Sequence, residues 1–172
     1  MQRLRVPLGF LLIAAFFLLA EPSRATLILG LPLAIAGLAI RGWAAGHLAK
    51  DRSLATGGPY AFVRNPLYLG SLIAAIGFAL ASGVWWLPLA FALVFSLVYL
   101  PVMELEEQHL LKLFPDSLEY VERVPLILPL RSPIPSAARF TGSQYLKNEE
   151  YKALAALLLA AGYLVWRAGL FG

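Results

Sequence analysis

The residues of this chain best equipped for chemistry lie in two short polar stretches. One is Gly57–Gly70, reading GGPYAFVRNPLYLG; the other is the acid cluster Glu104-Leu105-Glu106-Glu107, some thirty-five residues later. Both sit at the ends of long apolar runs, and charge at a membrane boundary is costly to keep unless it binds or reacts with something. Gly57-Gly58-Pro59-Tyr60 reads as a tight turn, because glycine reaches positive φ while proline fixes φ and removes a donor. Two readings of that turn are open: a plain connection, or a cradle whose backbone N–H groups hold an anionic or planar ligand beside an aromatic ring.

Arg64-Asn65-Pro66-Leu67-Tyr68-Leu69-Gly70 opens a helix, with Pro66 suited to its first turn and Asn65 to its N-cap. Arg64 is either an anchor to lipid phosphate or a fork that grips a carboxylate where the helix dipole also favours anions. Tyr68 is either an interfacial belt residue or a ligand contact. In the acid cluster, Glu104 and Glu107 are three residues apart and share a helix face, whereas Glu106 points elsewhere. These acids form a solvated helix face, hold a ligand cation such as an ammonium or sulfonium, or pair with Arg64. His47 and His109 read as surface residues, and two histidines with no cysteine leave no basis for a metal centre.

The elements that must position these residues are apolar. The chain has 172 residues, 60% hydrophobic and 14% charged, against about 45–50% and about 25% for ordinary soluble domains. The apolar residues fall into five runs, roughly Val6–Ala20, Thr26–Ile40, Leu67–Ser82, Val84–Met103 and Ala153–Trp166. The expected fold is therefore all-α: a single polytopic integral membrane bundle over residues 1–172, with about five transmembrane helices. Several runs are short for a span, and flanking Arg, Lys, Trp and Tyr extend them by snorkelling. A cleavable signal peptide is the rival reading of the first run, but Glu21-Pro22-Ser23-Arg24-Ala25 is a poor small-residue cleavage site.

With a cytoplasmic amino terminus and five spans, Arg3, Arg5, Arg41, Lys50, Arg52, Arg64, Lys112, Arg123, Arg131, Arg139, Lys147 and Lys152 fall inside. Arg24 and Arg167 fall outside, a bias of twelve to two that fits the positive-inside rule. The carboxy terminus is then outside, and the small size points to a prokaryotic inner membrane. The net charge of +4 follows topology and forms no single patch, which argues against nucleic acid as a partner. Spans three and four meet at Ser82-Gly83 beside Trp85 and Trp86, a tight hairpin with an interfacial anchor. That hairpin brings Arg64 and the acid cluster to the same membrane surface.

After the fourth run the chain turns amphipathic, with Leu105, Leu110, Leu111, Leu113 and Phe114 at near-helical spacing until Pro115 ends or restarts the helix before Asp116 and Ser117. Val124-Pro125 and Leu128-Pro129 read as an extended apolar segment along the membrane, and Arg131 to Lys147 as a polar, mobile loop. No P-loop, Rossmann glycine fingerprint or nucleophile elbow is present, so soluble methyltransferase or dehydrogenase architecture is excluded.

In combination these residues resemble the isoprenylcysteine carboxyl methyltransferase family and the related bacterial phospholipid methyltransferases. The matched positions are Gly58, Pro59, Tyr60, Arg64, Asn65, Pro66, Tyr68, Gly70, Glu106, Glu107, Leu110, Phe114, Tyr120, Val124, Pro125 and Pro129, a core of about Leu54 to Pro129. The helix at about 152–168 lies beyond it. The resemblance implies an integral membrane enzyme that binds S-adenosylmethionine in a cytoplasmic-facing pocket and methylates a lipophilic or lipidated acceptor arriving from the bilayer. It places the cofactor at Pro59, Tyr60, Arg64, Asn65, Pro66, Tyr68, Gly70, Glu106 and Glu107, with Arg64 and Glu107 nearest the acceptor as catalytic residues and no metal. The chain departs from the family at Asn65, where eukaryotic members have His, at Pro115, in place of Gly, and at Ser117, in place of a Tyr.

The acceptor is an isoprenylcysteine-type carboxylate, a phospholipid amine or another lipophilic nucleophile. Two other readings remain open. Membrane sterol reductases share a similar hairpin and use a nicotinamide cofactor, but favour an Arg-Asp/Cys-type segment over Glu-Glu. A non-catalytic, lipid-binding membrane protein would use the polar loops only as anchors.

Overall fold

The computed structural model describes residues 2–49, 53–114, 117–133, 136 and 138–169, and among these residues it is helical, with no strand. The helices are α1 (Gln2–Leu19), α2 (Arg24–Ala45), α3 (Pro66–Ala81), α4 (Leu87–Leu113), α5 (Leu118–Arg123), α6 (Gly142–Lys147) and α7 (Tyr151–Arg167). Each of the five apolar runs is helical. Length and composition qualify two of them to cross a membrane: α2, with 22 residues, and α4, with 27. At about 1.5 Å per residue α2 is about 33 Å long, which matches a hydrocarbon core of about 30 Å. The apolar part of α1 (Gly9–Leu19) and the whole of α3 are shorter. The outer faces are apolar, with Ile28, Leu29, Leu89 and Leu159 all more than 70% exposed, a surface suited to lipid and ill suited to water. Lys50, Arg52, Pro115 and Asp116 lie outside the described residues, as do the side chains of Arg3 and Arg5.

The helix ends gather at two poles. At one, Glu21 N–H donates to the Ser82 carbonyl at 2.7 Å and Arg167 Nε donates to the Ala20 carbonyl at 2.7 Å. Ser23 caps α2 there: its hydroxyl accepts from Thr26 N–H, and Thr26 Oγ1 accepts from Ser23 N–H. The α3–α4 turn has Gly83 at φ +78°, with the Glu21 carbonyl packed against its α-carbon, so a side chain fits neither sterically nor conformationally. Beneath this pole Leu12, Phe16, Leu27, Leu87 and Leu164 form the buried core that joins α1, α2, α4 and α7.

Helices α2 and α3 run antiparallel along a glycine seam. Gly30 and Gly37 on α2 face Gly77 and Gly70 on α3, each pair seven residues apart and hence on one face. A Cβ at Gly37 would stand 2.6 Å from the Gly70 carbonyl oxygen, and one at Gly70 would stand 2.6 Å from that of Gly37. In lipid, where apolar burial drives helix pairing little, such close backbone approach supplies the contact. The seam sets the carboxy-terminal end of α2 beside the amino-terminal end of α3, and this places the second pole.

The amphipathic stretch after the fourth apolar run continues the same helix, α4, to Leu113, two residues before Pro115. A π turn interrupts it at Phe95–Tyr99. Pro101 explains the turn, because it has no N–H and its ring excludes the carbonyl four residues earlier. The added residue stacks Tyr99 on Phe95, with ring centroids 5.4 Å apart. The stretch Arg131 to Lys147 is more ordered than its composition suggested: it contains α6, and Thr141 N–H donates to the Gly46 carbonyl at 2.9 Å.

Candidate functional site

The Gly57-Gly58-Pro59-Tyr60 segment forms a turn of 3₁₀ helix over Gly58–Ala61. Gly58 sits at φ +57°, and a Cβ there would stand 2.6 Å from the His47 ring, so both conformation and space require glycine. Pro59, Tyr60 and Ala61 are buried by this turn. The chain that follows is strapped to the Val-Pro segment. Arg64 N–H donates to the Pro125 carbonyl at 2.9 Å, and Asn65 N–H to the Leu126 carbonyl at 3.1 Å. Asn65 stands at the N-cap position of α3, but its side chain makes no capping bond and donates to the Leu126 carbonyl at 3.3 Å. The Nδ2 bond turns the side chain toward the strap, and its oxygen makes no cap.

Behind this strap lies a cavity of about 890 Å³, walled by the amino-terminal end of α3, the carboxy-terminal half of α4, the end of α2 and the start of α7. Its volume falls within the range of about 300–1,000 Å³ usual for small-molecule sites. Arg64 and Glu107 meet across it as an ion pair, their side chains 16% and 23% exposed. Nη1 of Arg64 stands against the Glu107 carboxylate, yet neither it nor Nε makes a well-directed hydrogen bond among the described residues, and both atoms are buried. A buried guanidinium donor without an acceptor is costly, and Nε marks a place where a ligand oxygen would be welcome.

Glu106 accepts a hydrogen bond from the Tyr68 hydroxyl at 2.9 Å. The Tyr68 ring lies 5.9 Å from that of Tyr99, so the π turn in α4 completes an aromatic wall. Across the cavity, the Tyr120 hydroxyl donates to the Tyr60 carbonyl at 2.8 Å. Burial pushes both phenols well above the usual tyrosine range; for Tyr60 the neighbouring Tyr120 and Glu150 add to the effect, and for Tyr120 the nearby Arg64 opposes it. Both therefore stay protonated at any physiological pH.

A second ion pair shares the cavity. Arg41 grips Glu150 bidentately, Nε to Oε1 at 2.5 Å and Nη2 to Oε2 at 3.0 Å, while its Nη1 reaches the Ser71 hydroxyl. Glu150 is only 5% exposed. It is held in place by Asn148, whose amide donates to the carbonyls of Ala45 at 2.8 Å and Leu48 at 2.9 Å. Between them Glu149 takes φ +55°, a strained value for a side-chain-bearing residue. Sequence reasoning counted Arg41 only as topological charge and passed over Glu150. The available signal was a lone arginine near the end of an apolar run, which is costly without a partner.

Of the residues singled out in sequence, Tyr60, Arg64, Asn65, Tyr68, Glu106 and Glu107 line the cavity. Pro59, Pro66 and Gly70 stand outside its wall: Pro59 builds the turn, Pro66 starts α3, and Gly70 belongs to the glycine seam. Glu104 does not share the site face of Glu107; it is exposed, and Glu106 takes that place. Adjacent helix residues lie about 100° apart, and a cavity this broad spans that arc. His109 lines the cavity mouth, whereas His47 packs against Gly58 and Phe140.

The fold and site together define a helical, membrane-type protein with a charged and aromatic cavity at one end of its bundle. The chain belongs to the phospholipid methyltransferase family, whose model matches residues 27–117, from α2 to just past α4. It is 34% identical over 103 residues to the cobalt-zinc-cadmium resistance protein CzcN of Cupriavidus metallidurans, covering 59% of this chain and 46% of that protein. It is 32% identical over 103 residues to the nickel-cobalt-cadmium resistance protein NccN of Alcaligenes xylosoxydans xylosoxydans, covering 59% and 47%. It is 39% identical over 82 residues to protein-S-isoprenylcysteine O-methyltransferase of Schizosaccharomyces pombe, covering 47% and 35%. The matched region thus spans less than half the length of each of these curated relatives. No solved structure matches the chain significantly.

Proposed function

We propose that the chain transfers a methyl group from S-adenosylmethionine to a lipophilic acceptor at the cytoplasmic face of a prokaryotic inner membrane, within a bundle of five membrane-crossing helices. The observation that carries this reading is Arg64, which is ion-paired with Glu107 through Nη1 while its buried Nε has no acceptor among the described residues, in a cavity shared with Glu106. The donor's chemistry fits that set: a carboxylate suits the guanidinium, an ammonium and a sulfonium suit the glutamates, and an adenine suits the tyrosine rings. When bound, S-adenosylmethionine supplies an already activated methyl group on a positively charged sulfur.

The protein then has to bind, align and keep water out. Arg64 orients a carboxylate, of the donor or of the acceptor. Tyr68 holds Glu106 by its hydroxyl, fixing one acid while Glu107 faces Arg64. With an anionic acceptor no base is needed; with an amine, Glu107 takes the proton. Family membership supports an amine or phosphate-bearing lipid, and the yeast relative's name supports a prenylated carboxylate. Two relatives are named for metal resistance, but no group of three or more His, Asp or Glu side chains fit to hold a metal ion occurs among the described residues.

The test is transfer of isotopically labelled methyl from the donor into the lipid fraction of membranes containing the protein. Label released as methanol in mild base identifies a methyl ester, and base-stable label identifies an N-methyl product. An unlabelled lipid fraction that also stays unlabelled across prenylated carboxylates, phospholipids and lipophilic thiols would overturn the proposal.

A further inference from the structure

The cavity wall has a charge balance that its family-matched part does not explain. Among the described residues its arginines and glutamates are Arg41, Arg64, Glu106, Glu107 and Glu150, so two cations meet three anions and these side chains together leave one net negative charge. Without Glu150 the balance would be zero. Glu150 comes from the start of α7, beyond the matched residues 27–117, and reaches back 109 positions to Arg41. Its placement is built and not incidental. Asn148 is tied to two carbonyls of the α2 end, Glu149 is held at positive φ, and Glu150 is nearly fully buried. Beside the pair stands Tyr60, 6% exposed and on the cavity wall.

We infer that Glu150 is a specificity-determining residue: by neutralising Arg41 it leaves the cavity one net negative charge, and so selects a cationic sulfonium donor over its neutral thioether product. This rests on the proposed methyl-donor reading. S-adenosylmethionine carries one more positive charge than S-adenosylhomocysteine, and the two differ otherwise by a methyl group. A cavity with an excess anion holds the first better, and after transfer the preference lapses, which eases product release. Four of the five Arg41 N–H donors go to Glu150, Ser71 and the Leu67 carbonyl, so the pair acts on the ligand chiefly through charge.

The experiment is calorimetric titration of detergent-purified full chain with S-adenosylmethionine and, separately, with S-adenosylhomocysteine. In Glu150→Gln the donor Kd should rise on the order of tenfold, as expected when a unit charge is removed from a shared, partly desolvated cavity, while the product Kd changes less than about twofold. In the double variant Arg41→Gln/Glu150→Gln, Arg64, Glu106 and Glu107 restore one net negative charge, so the donor-to-product ratio should return to that of the parent. A purely structural role would weaken both ligands alike and worsen in the double variant, and either result overturns the inference. If the parent protein binds neither ligand, the donor reading itself fails; if the parent binds both and Glu150→Gln leaves the ratio unmoved, only the role of Glu150 falls.

Discussion

Replacing Arg64 by methionine separates binding from stability. The guanidinium is buried, with Nη1 on the Glu107 carboxylate, itself 23% exposed, and Nε without an acceptor among the described residues. One unsatisfied buried donor costs about 1–3 kcal/mol, and methionine removes that cost while filling most of the same volume. Against this, Glu107 loses its counter-ion. A fully buried stranded charge would cost about 3–5 kcal/mol, but a carboxylate with some access to water loses much less. The two effects are opposite and similar, so the apo-protein should change in stability by no more than about 1 kcal/mol. Donor binding should suffer far more, because a charge-assisted bond to a carboxylate is worth about 1.5–3 kcal/mol, or roughly a 10- to 150-fold loss in affinity. The assay is thermal unfolding with and without S-adenosylmethionine. At about 100 times Kd the ligand adds about 2.7 kcal/mol to the parent, and most of that increment should vanish in Arg64→Met while the ligand-free midpoint holds. A large fall in the ligand-free midpoint with the ligand increment intact would refute the reasoning and make Arg64 a structural or lipid-anchoring ion.

Other substitutions test the frame around the site. Gly37→Leu drives a side chain into the α3 backbone at Gly70 and Ala74, so unfolding in mild denaturant should shift by at least about 2 kcal/mol, with Gly37→Ala intermediate. Pro101→Ala restores a backbone donor and lets α4 relax toward a regular helix; stability should hold or rise, and donor affinity should fall as Tyr99 moves from Tyr68. Tyr60 and Tyr120 both have pKa values raised by burial, so the folded state holds their protons more tightly than the unfolded chain. Their share of stability is complete below about pH 10 and is lost as the pH rises above it, and Tyr60→Phe or Tyr120→Phe should flatten that alkaline slope in a melting series.

What the sequence made legible was whatever depends on local pattern. The five apolar runs appear as helices because hydrophobic length is a local property. The Ser82-Gly83 hairpin places Arg64 near Glu107 by connectivity alone, and the structure has them in contact. The turn at Gly58 was legible because only glycine takes that backbone cheaply. What stayed hidden depends on distant partners. The choice of Glu106 over Glu104 for the cavity follows from where Tyr68 stands, on another helix. Asn65 gives up its cap because Leu126 arrives from sixty-one residues away. Glu150 finds Arg41 across an even longer separation, after a loop whose composition suggested only mobility. The π turn had a local cause, Pro101, but its consequence for Tyr99 needed the α3 neighbour to be known.

The most direct measurement is titration of the purified chain with S-adenosylmethionine, S-adenosylhomocysteine and NADPH by calorimetry, repeated on Glu107→Ala. Micromolar binding of the adenosyl compounds, abolished in the variant, with no heat from NADPH, is the expected result. Silence toward both adenosyl compounds, or a response to NADPH alone, would contradict the methyl-donor reading and leave the cavity to another ligand.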